Sequence, residues 1–553
     1  MLDSISASDS VAAESPVVRP LLSRGEVAAL TASILAFGCI SILLGKDRSW
    51  DFLNYHWYDA YAFLHHRMGF DVAVAHHATY YNPLIHLPFY WLATLGRVWV
   101  ALFFTGLLYG LNVLPLYLIA RSALNAPVNR SLAFGLALAG LGGSTVVSMI
   151  GDTAYDTALS ALVFGGLAVL IVKRDALQVA PAPAARAAAT AGFLIGLATG
   201  LKLVEGFYAI GLAVVLVALP GRATVRFARL LAGGAAGTTA VLLCAGFWFW
   251  TLSRETGNPL FPMYNSIFHS ALIAPTYFGS TNFPVTGVWP TLTFPFRFLL
   301  DYRIADDGPF RDLRVPLLYL LLPLASVWVA LRAPSARLVV PGATRVLFLF
   351  TAASYAVWLE WFAVYRYLVG LEMLAPLLIL AALDCLPMPR AKRVTLLGGI
   401  LVVVALFGRY SFANHADVSD PYVRVQGLAF ADPASTLLLM TGHEPMAYLI
   451  PSLPPQIAVL RIDGWLAQPE DGSGLTAVMR TRVNAHRGKF FLIAAPAEQP
   501  SAIRATAAYG LDIVATQCQE VRSDLGGPYE LCPLQRHRID RSQRNVQNEG
   551  DAH

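Results

Sequence analysis

The sequence predicts a mainly α protein: a polytopic bundle of about eleven transmembrane helices carrying a small C-terminal α/β soluble domain. Three observations predict it. Hydrophobic residues make up 56% of the chain and charged residues only 14%, where water-soluble domains carry about 25% charged. Apolar runs near the roughly 20 residues that cross a bilayer recur through the first three quarters of the chain. Beyond residue 409 the pattern changes to short apolar strands separated by segments of helical periodicity. The net charge of +5 does not point to nucleic acid, because the basic residues cluster in short linkers between apolar runs, as positive-inside placement requires.

Taken in order, the first 24 residues are polar and lack the layout of a cleavable signal peptide, and 1–26 is expected as a cytoplasmic N-terminal segment. The run 27–45 is long for a signal h-region, so it is expected as an uncleaved first span. Further spans are expected at 98–120, 131–150, 156–172, 187–201, 206–219, 231–252, 315–331, 343–359, 367–385 and 394–408. The pair 187–201 and 206–219 is too long for one helix and reads as a hairpin. Segment 83–97 reads as an interfacial helix, because a further span there breaks the charge alternation. That alternation puts Arg19 and Arg24; Arg121 and Arg130; Lys173, Arg174 and Arg186; Arg222, Arg226 and Arg229; Arg332 and Arg337; and Arg390, Lys392 and Arg393 on one side, which should be the cytoplasm. Loops 46–97 and 253–314 and the domain 410–536 then face the periplasm of a bacterial inner membrane. In that domain "STLLLMTG", "QIAVLRID", "KFFLIAAP" and "LDIVATQ" read as strands, and "EPMAYLIPSL", "GLTAVMRTRVNAHRG" and "PSAIRATAAYG" as helices. It has neither a GxGxxG motif nor a P-loop. Residues 537–553 read as a disordered tail.

Polar groups gather on the expected periplasmic side. "SWDFLNYHWYDAYAFLHHR" (49–67) leaves the first span with Asp51, Asn54, Tyr55, His56 and Asp59, and its aromatic rings suit a helix lying in the membrane interface. Asp152 and Asp156 are one helical turn apart before the fourth span; each suits either catalysis or helix capping. Lys202 and Glu205 occupy a hairpin tip and can pair with each other. Asn258 and Asn265, in "TGNPLFPMYN", suit either a fixed turn or hydroxyl binding. Arg366 and Tyr367 precede Glu372 at the start of an apolar segment, where charge is costly and usually functional. Acids offer a base or metal ligands, and Lys and Arg offer sites for phosphate. The pairs His65/His66 and His76/His77 lack regular ligand spacing. Cys39, Cys244 and Cys385 are expected as buried thiols. Cys518 and Cys532, both in the oxidising compartment, are expected to form a disulfide.

A short cytoplasmic N-terminus, an acid at the outer end of the first span and an amphipathic first loop resemble the GT-C superfamily of polytopic glycosyltransferases. "RYLVGLEMLAPLLIL" (366–380) is similar to a late-span segment of that superfamily. "WDFLNYHWYDAYAFL", "NPLIHLPFYWL", "GDTAYD", "GLATGLKL" and "TGNPLFPMYN" resemble a bacterial glycosyltransferase-87-like subgroup. The resemblance implies a GT-C-like bundle and an inverting transferase. Such an enzyme moves a sugar from a polyprenyl-phosphate donor to a saccharide, lipid or protein acceptor at the periplasmic face, in contact with the bilayer. It also implies Asp51 as the first-loop catalytic acid, Asp152 or Asp156 as the second, Arg366 as a donor-phosphate contact and Lys202 as another. Two departures stand out. Asp51 is a lone acid followed by Phe52, which leaves a divalent cation (Mg or Mn) open as a cofactor, and Gly370 and Leu371 stand where a proline is expected. A transporter or flippase of lipid-linked saccharide is the second reading, although transporters place ionisable groups at mid-membrane in repeated halves. A polymerase or ligase of surface polysaccharide shares the donor type. Asp51 is expected to be the general base, with Asp59 the next choice.

Overall fold

The computed structural model describes residues 22–125, 130–275, 283–331 and 337–537; segment 1–21 with Arg19, Arg332, and the expected tail from 538 onward lie outside the described residues. Among those described, seven helices are long and apolar enough to cross a membrane: Arg24–Leu44, Val98–Ala123, Pro181–Leu201, Ala223–Thr256, Arg314–Leu331, Pro341–Trp361 and Tyr365–Asp384. The shorter Arg130–Leu141, Asp156–Val172 and Leu203–Ala218 and the helix Arg390–Phe407 occupy the remaining expected spans. A capping box between Ser23 and Glu26 starts the first helix, satisfying two backbone donors that would otherwise be orphaned.

Three details differ from expectation. The run 131–150 is not one helix: it ends at Leu141, and a short helix Ser144–Ser148 follows. A Cβ on the intervening Gly143 would meet a Glu372 carboxylate oxygen at 1.9 Å, so any larger residue there must displace the Glu372 side chain. The helix Ala223–Thr256 has 34 residues, about 51 Å at 1.5 Å per residue, and so reaches well past a hydrocarbon core. Its far end meets the first loop, where the Trp248 indole donates to the Tyr80 carbonyl at 2.9 Å. Cys244 and Cys385 are buried as expected, but Cys39 is exposed on the first helix.

The helix Val369–Asp384 is buried along its whole length and forms the centre of the bundle. Pro181–Leu201 crosses Ala223–Thr256 through small residues. A Cβ on Gly192 would meet the Gly233 carbonyl oxygen at 2.1 Å, and one on Gly196 the Gly237 carbonyl oxygen at 2.4 Å. This small-xxx-small pattern on both helices lets their backbones touch. The segment 83–97 contains the helix Leu87–Leu95, nine residues or about 14 Å, which is too short to span.

The C-terminal domain is a mixed sheet of β3 (Val425–Gln426), β4 (Thr436–Met440), β5 (Ala458–Arg461), β6 (Lys489–Ala494), β7 (Leu511–Ile513), β8 (Gln519–Ser523) and β9 (Tyr529–Arg536). Its order is β3-β8-β9-β6-β4-β5, with β7 also on β9. Strands β5, β4 and β6 run parallel, and β9 joins them antiparallel. Helices Gly474–Ala485 and Gln499–Ala508 form where periodicity placed them. "EPMAYLIPSL" instead makes a 3-10 turn, Ala447–Ser452, with Pro451 inside it, because proline removes a donor that a longer helix needs. Cys518 and Cys532 are joined by a disulfide.

The first loop is built into this domain. Residues Phe52–Tyr61 are buried in a core shared with Tyr422, Met440, Tyr448 and Leu531. The expected interfacial helix is therefore enclosed by protein, since both its faces carry aromatic rings. Val72 lies beside the edge strand β5: its N–H donates to the Val459 carbonyl at 3.0 Å and its carbonyl accepts from Arg461 N at 3.0 Å. A second seam pairs β1 (Lys46–Asp47), at the exit of the first span, with β2 (His415–Ala416), after the last.

Candidate active site

The first helix ends at Gly45 with φ 104°, a left-handed turn that glycine adopts without strain. Asp47 then fixes the turn that follows. One carboxylate oxygen accepts from Ser49 N at 2.7 Å, and the other from Thr153 N at 2.8 Å and Thr153 Oγ1 at 2.6 Å. The next helix begins around Asp51 and is wound as a π-helix over Phe52–His56, a rare geometry frequent at functional sites. Asp51 makes no side-chain cap bond. Its carboxylate instead accepts from Arg366 at 2.6 Å.

Arg366 sits on the 3-10 turn Tyr365–Leu368 that opens the central helix. Its backbone N–H donates to Asp306 Oδ2 at 3.1 Å, and its Nε lies 3.4 Å from Asp156 Oδ2. Asp156 is the first residue of its helix, after Tyr155 at φ 63°. Lys202 ends the helix Pro181–Leu201 in extended conformation. Its ammonium donates to Asp156 Oδ1 at 2.5 Å and to the Ala154 carbonyl at 3.0 Å. Both cations lie near the Tyr367 ring, Lys202 at 5.4 Å and Arg366 at 5.5 Å from its centroid. Four charges thus alternate in a chain, Asp51–Arg366–Asp156–Lys202. Asp156 is fully enclosed, whereas the Arg366 side chain is 28% exposed and that of Lys202 18%. The two cations are the most exposed members of the chain.

No family model and no curated protein matches this chain. Two solved structures align with it. Both are of ArnT from Cupriavidus metallidurans. The apo state is 14% identical over 92% of this chain and 98% of that one, and the form bound to undecaprenyl phosphate is 15% identical over 93% and 98%; each has a TM-score of 0.49.

The other residues singled out in the sequence fall around this cluster or away from it. Asp152 is not on a helical face with Asp156: it lies in the preceding turn, accepting from Ala154 N at 2.8 Å, because the helix starts only at Asp156. Burial, then the neighbouring Asp47 carboxylate, push the Asp152 carboxyl well above the usual range. Lys202 does not pair with Glu205; the extended backbone at 202 turns it toward Asp156, and buried Glu205 keeps one carboxyl oxygen without a hydrogen-bond partner. Asp59 is buried with neither oxygen bonded, and burial raises its carboxyl well above the usual range, which suits a protonated acid and not a working base. The Asn54 amide donates to the Ala75 carbonyl at 3.2 Å and braces the loop. Tyr55 packs edge-on against Tyr81 and His86. His56 bonds Thr153 Oγ1 at 2.7 Å and stacks on His86 at 4.5 Å. Burial, then the neighbouring His86, hold His56 well below the usual imidazole range; burial, then Lys202, lower His86 to about 3.

Asn258 bonds Met263 O, Leu260 N and the Asn265 side-chain oxygen within its own segment, and Asn265 holds backbone groups at 270–274. Both are turn residues here, as their chemistry allows. Glu372 belongs to a separate buried group with Arg314 and the 140–146 turn. Asp306 was not anticipated; it sits in "DYRIADDGPFRDLR" (301–314), a stretch so rich in charge that no single acid stands out. Burial, opposed by Arg366, raises its carboxyl to about 6.

Proposed function

We propose that this chain is a GT-C-type inverting glycosyltransferase that moves a sugar from a polyprenyl-phosphate donor to an acceptor hydroxyl at the periplasmic face of the inner membrane. The observation that carries the reading is the Asp51–Arg366–Asp156–Lys202 chain at the domain-bearing end of an apolar bundle. A sugar phosphodiester brings one negative charge, and its departure as a phosphomonoester adds a second. Arg366 and Lys202 supply two fixed cations for that developing charge, in a site largely shielded from water. Asp156, enclosed between them, holds both in position.

The donor phosphate competes with Asp51 for the Arg366 guanidinium. Once Arg366 turns to the phosphate, the Asp51 carboxylate is free to accept the proton of the acceptor hydroxyl. The acceptor oxygen bonds to the anomeric carbon from the face opposite the phosphate. The bond from that carbon to the phosphate oxygen breaks with its electron pair left on the phosphate, so the configuration inverts. The donor set does not suit a divalent cation: Asp51 and Asp156 are engaged by the two cations, and among the described residues no three His, Cys, Asp or Glu side chains converge. No step is therefore routed through a metal.

The test is a proteoliposome assay with labelled polyprenyl-phosphate sugar. Cleavage to polyprenyl phosphate is expected, with a loss of about 10²-fold or more in Arg366→Ala. Movement of intact donor across the bilayer without cleavage would replace this reading with transport.

A further inference from the structure

The parallel strands β5, β4 and β6 end together, and chain order reverses at β4, which lies between the other two. In open α/β sheets ligands bind in the crevice beyond the carboxyl ends of the strands at such a reversal. Here the three loops leaving those ends carry His443, Trp465 and Glu498. They meet Trp50 and His76 of the first loop.

The rings of Trp50, His76 and His443 run nearly parallel, with planes 14° and 16° apart and centroids spaced 6.3 Å. Trp465 leans across all three, 5.2 Å from Trp50, 4.7 Å from His76 and 5.4 Å from His443. His76 is fully enclosed, yet its Nε2 has no hydrogen-bond partner. Trp465 remains 47% exposed and Trp50 37%. The ledge is braced from below. Buried Arg461 donates to the Val74 carbonyl at 2.8 Å and to the Gly442 carbonyl at 2.7 Å, clamping the loop before His76 to the loop before His443. A Cβ on Gly464 would meet His76 Nδ1 at 2.7 Å, so glycine lets Trp465 close over that ring. Glu498 stands at the rim, accepting from His443 N at 2.7 Å.

We propose that this ledge binds the acceptor as a saccharide, with a pyranose ring lying on Trp465 and Trp50; the assignment as acceptor rests on the transferase reading above. The C–H face of a pyranose is apolar and slightly positive, and matches the negative face of an indole. Glu498 and the exposed His443 ring offer the few fixed polar groups that orient a sugar's hydroxyls. The surrounding exposed residues, Glu444, Gln468 and Glu470, are acidic or polar, unlike the basic and aliphatic surround of a membrane anchor. The ledge also lies on the side of the base. Trp50 precedes Asp51 directly, and His77, 6.4 Å from the Trp465 ring, feels the Asp51 charge.

Saturation-transfer NMR on the full chain in nanodiscs, with cellobiose, chitobiose and maltose as probes and glycerol as control, tests this. Ring-proton transfer is expected for at least one disaccharide. It should fall about fivefold or more in Trp465→Ala, return in Trp465→Phe, and persist in Arg366→Ala. Transfer no greater than glycerol, or unchanged in Trp465→Ala, overturns the proposal, as does preference of the ledge for empty lipid vesicles. Saccharide binding that depends on Trp465, in a protein that never cleaves donor, retains the ledge and refutes the transferase alone. Donor cleavage with an acceptor KM indifferent to Trp465→Ala does the reverse.

Discussion

Asp51 and Arg366 stand 315 positions apart in the chain and 2.6 Å apart in space, and the first test belongs to that contact. Asp51→Asn keeps the shape and a hydrogen-bonding oxygen but cannot take a proton. Donor turnover should fall by about 10²–10⁴-fold, with donor binding kept, measured as kcat and KM for polyprenyl-phosphate sugar in proteoliposomes. Asp306 gives a second test, in pH. Its folded carboxyl titrates near 6, whereas an unfolded one titrates at about 4. Between those values the folded chain holds a proton that the unfolded chain has released, so the stability it contributes is present at the acid end and is lost as pH rises through about 6. Asp306→Asn should flatten the melting-temperature profile between pH 4 and 6 relative to wild type. Asp51, Asp156, Lys202 and Arg366 were legible in the sequence because charge beside an apolar run is expensive and needs a reason. Their pairing was not. Lys202 is three residues from Glu205 but finds Asp156, and only the backbone turn at 202 decides that. Asp306 escaped notice because, besides the local Gly308 N–H, the donor that ties it to the site is a backbone N–H from a distant segment.

Helix crossings position those residues, and glycine sets the closest of them. Gly196→Val drives a side chain into the Gly237 carbonyl, so the helices must separate, at a cost of about 1–3 kcal/mol. Lys202 lies six residues further along the same helix and should move with it. Lower thermal stability and lower turnover together are expected, whereas Gly135→Ala, with nothing within 4 Å of the new Cβ, should leave both near wild type. Helix existence was readable from hydropathy alone, and every expected span contains helix. Helix ends were less so. Ala223–Thr256 runs past its expected limits at both ends, and Gly142–Gly143 cut another short. In the C-terminal sheet, β3 and β8 were the strands least visible, whereas "YELC", the start of β9, reads as a strand beside "LDIVATQC". "QEVRS" is largely polar, and Pro533 interrupts β9 at a residue opposite Phe491, a position that sequence rules assign to an edge or a bulge.

At the scale of the whole molecule, the domain-bearing end of the bundle is expected to be periplasmic and the N-terminus cytoplasmic, on the one-sided Lys and Arg distribution. Alkaline phosphatase fused after residue 410 should be active and a cytoplasm-dependent reporter at the same place silent; the opposite pattern reverses the orientation. The union of first loop and C-terminal domain was not legible, because it depends on contacts such as Val72 with β5 that no local pattern encodes. Its seam also has a consequence in time. Lys46 meets Asp524 at 2.5 Å, 478 residues later in the chain. At about 5–20 residues per second of synthesis, the exit of the first helix waits roughly half a minute to a minute and a half for its partner to be made. Within that interval Arg366 is made before the C-terminal domain begins, so Asp51 gains its partner first and Trp50 gains Trp465 only later. A chain that stalls before the last domain therefore holds the four charged residues 51, 156, 202 and 366 but lacks the sheet that encloses its first loop and the strand that pairs with the exit of its first helix.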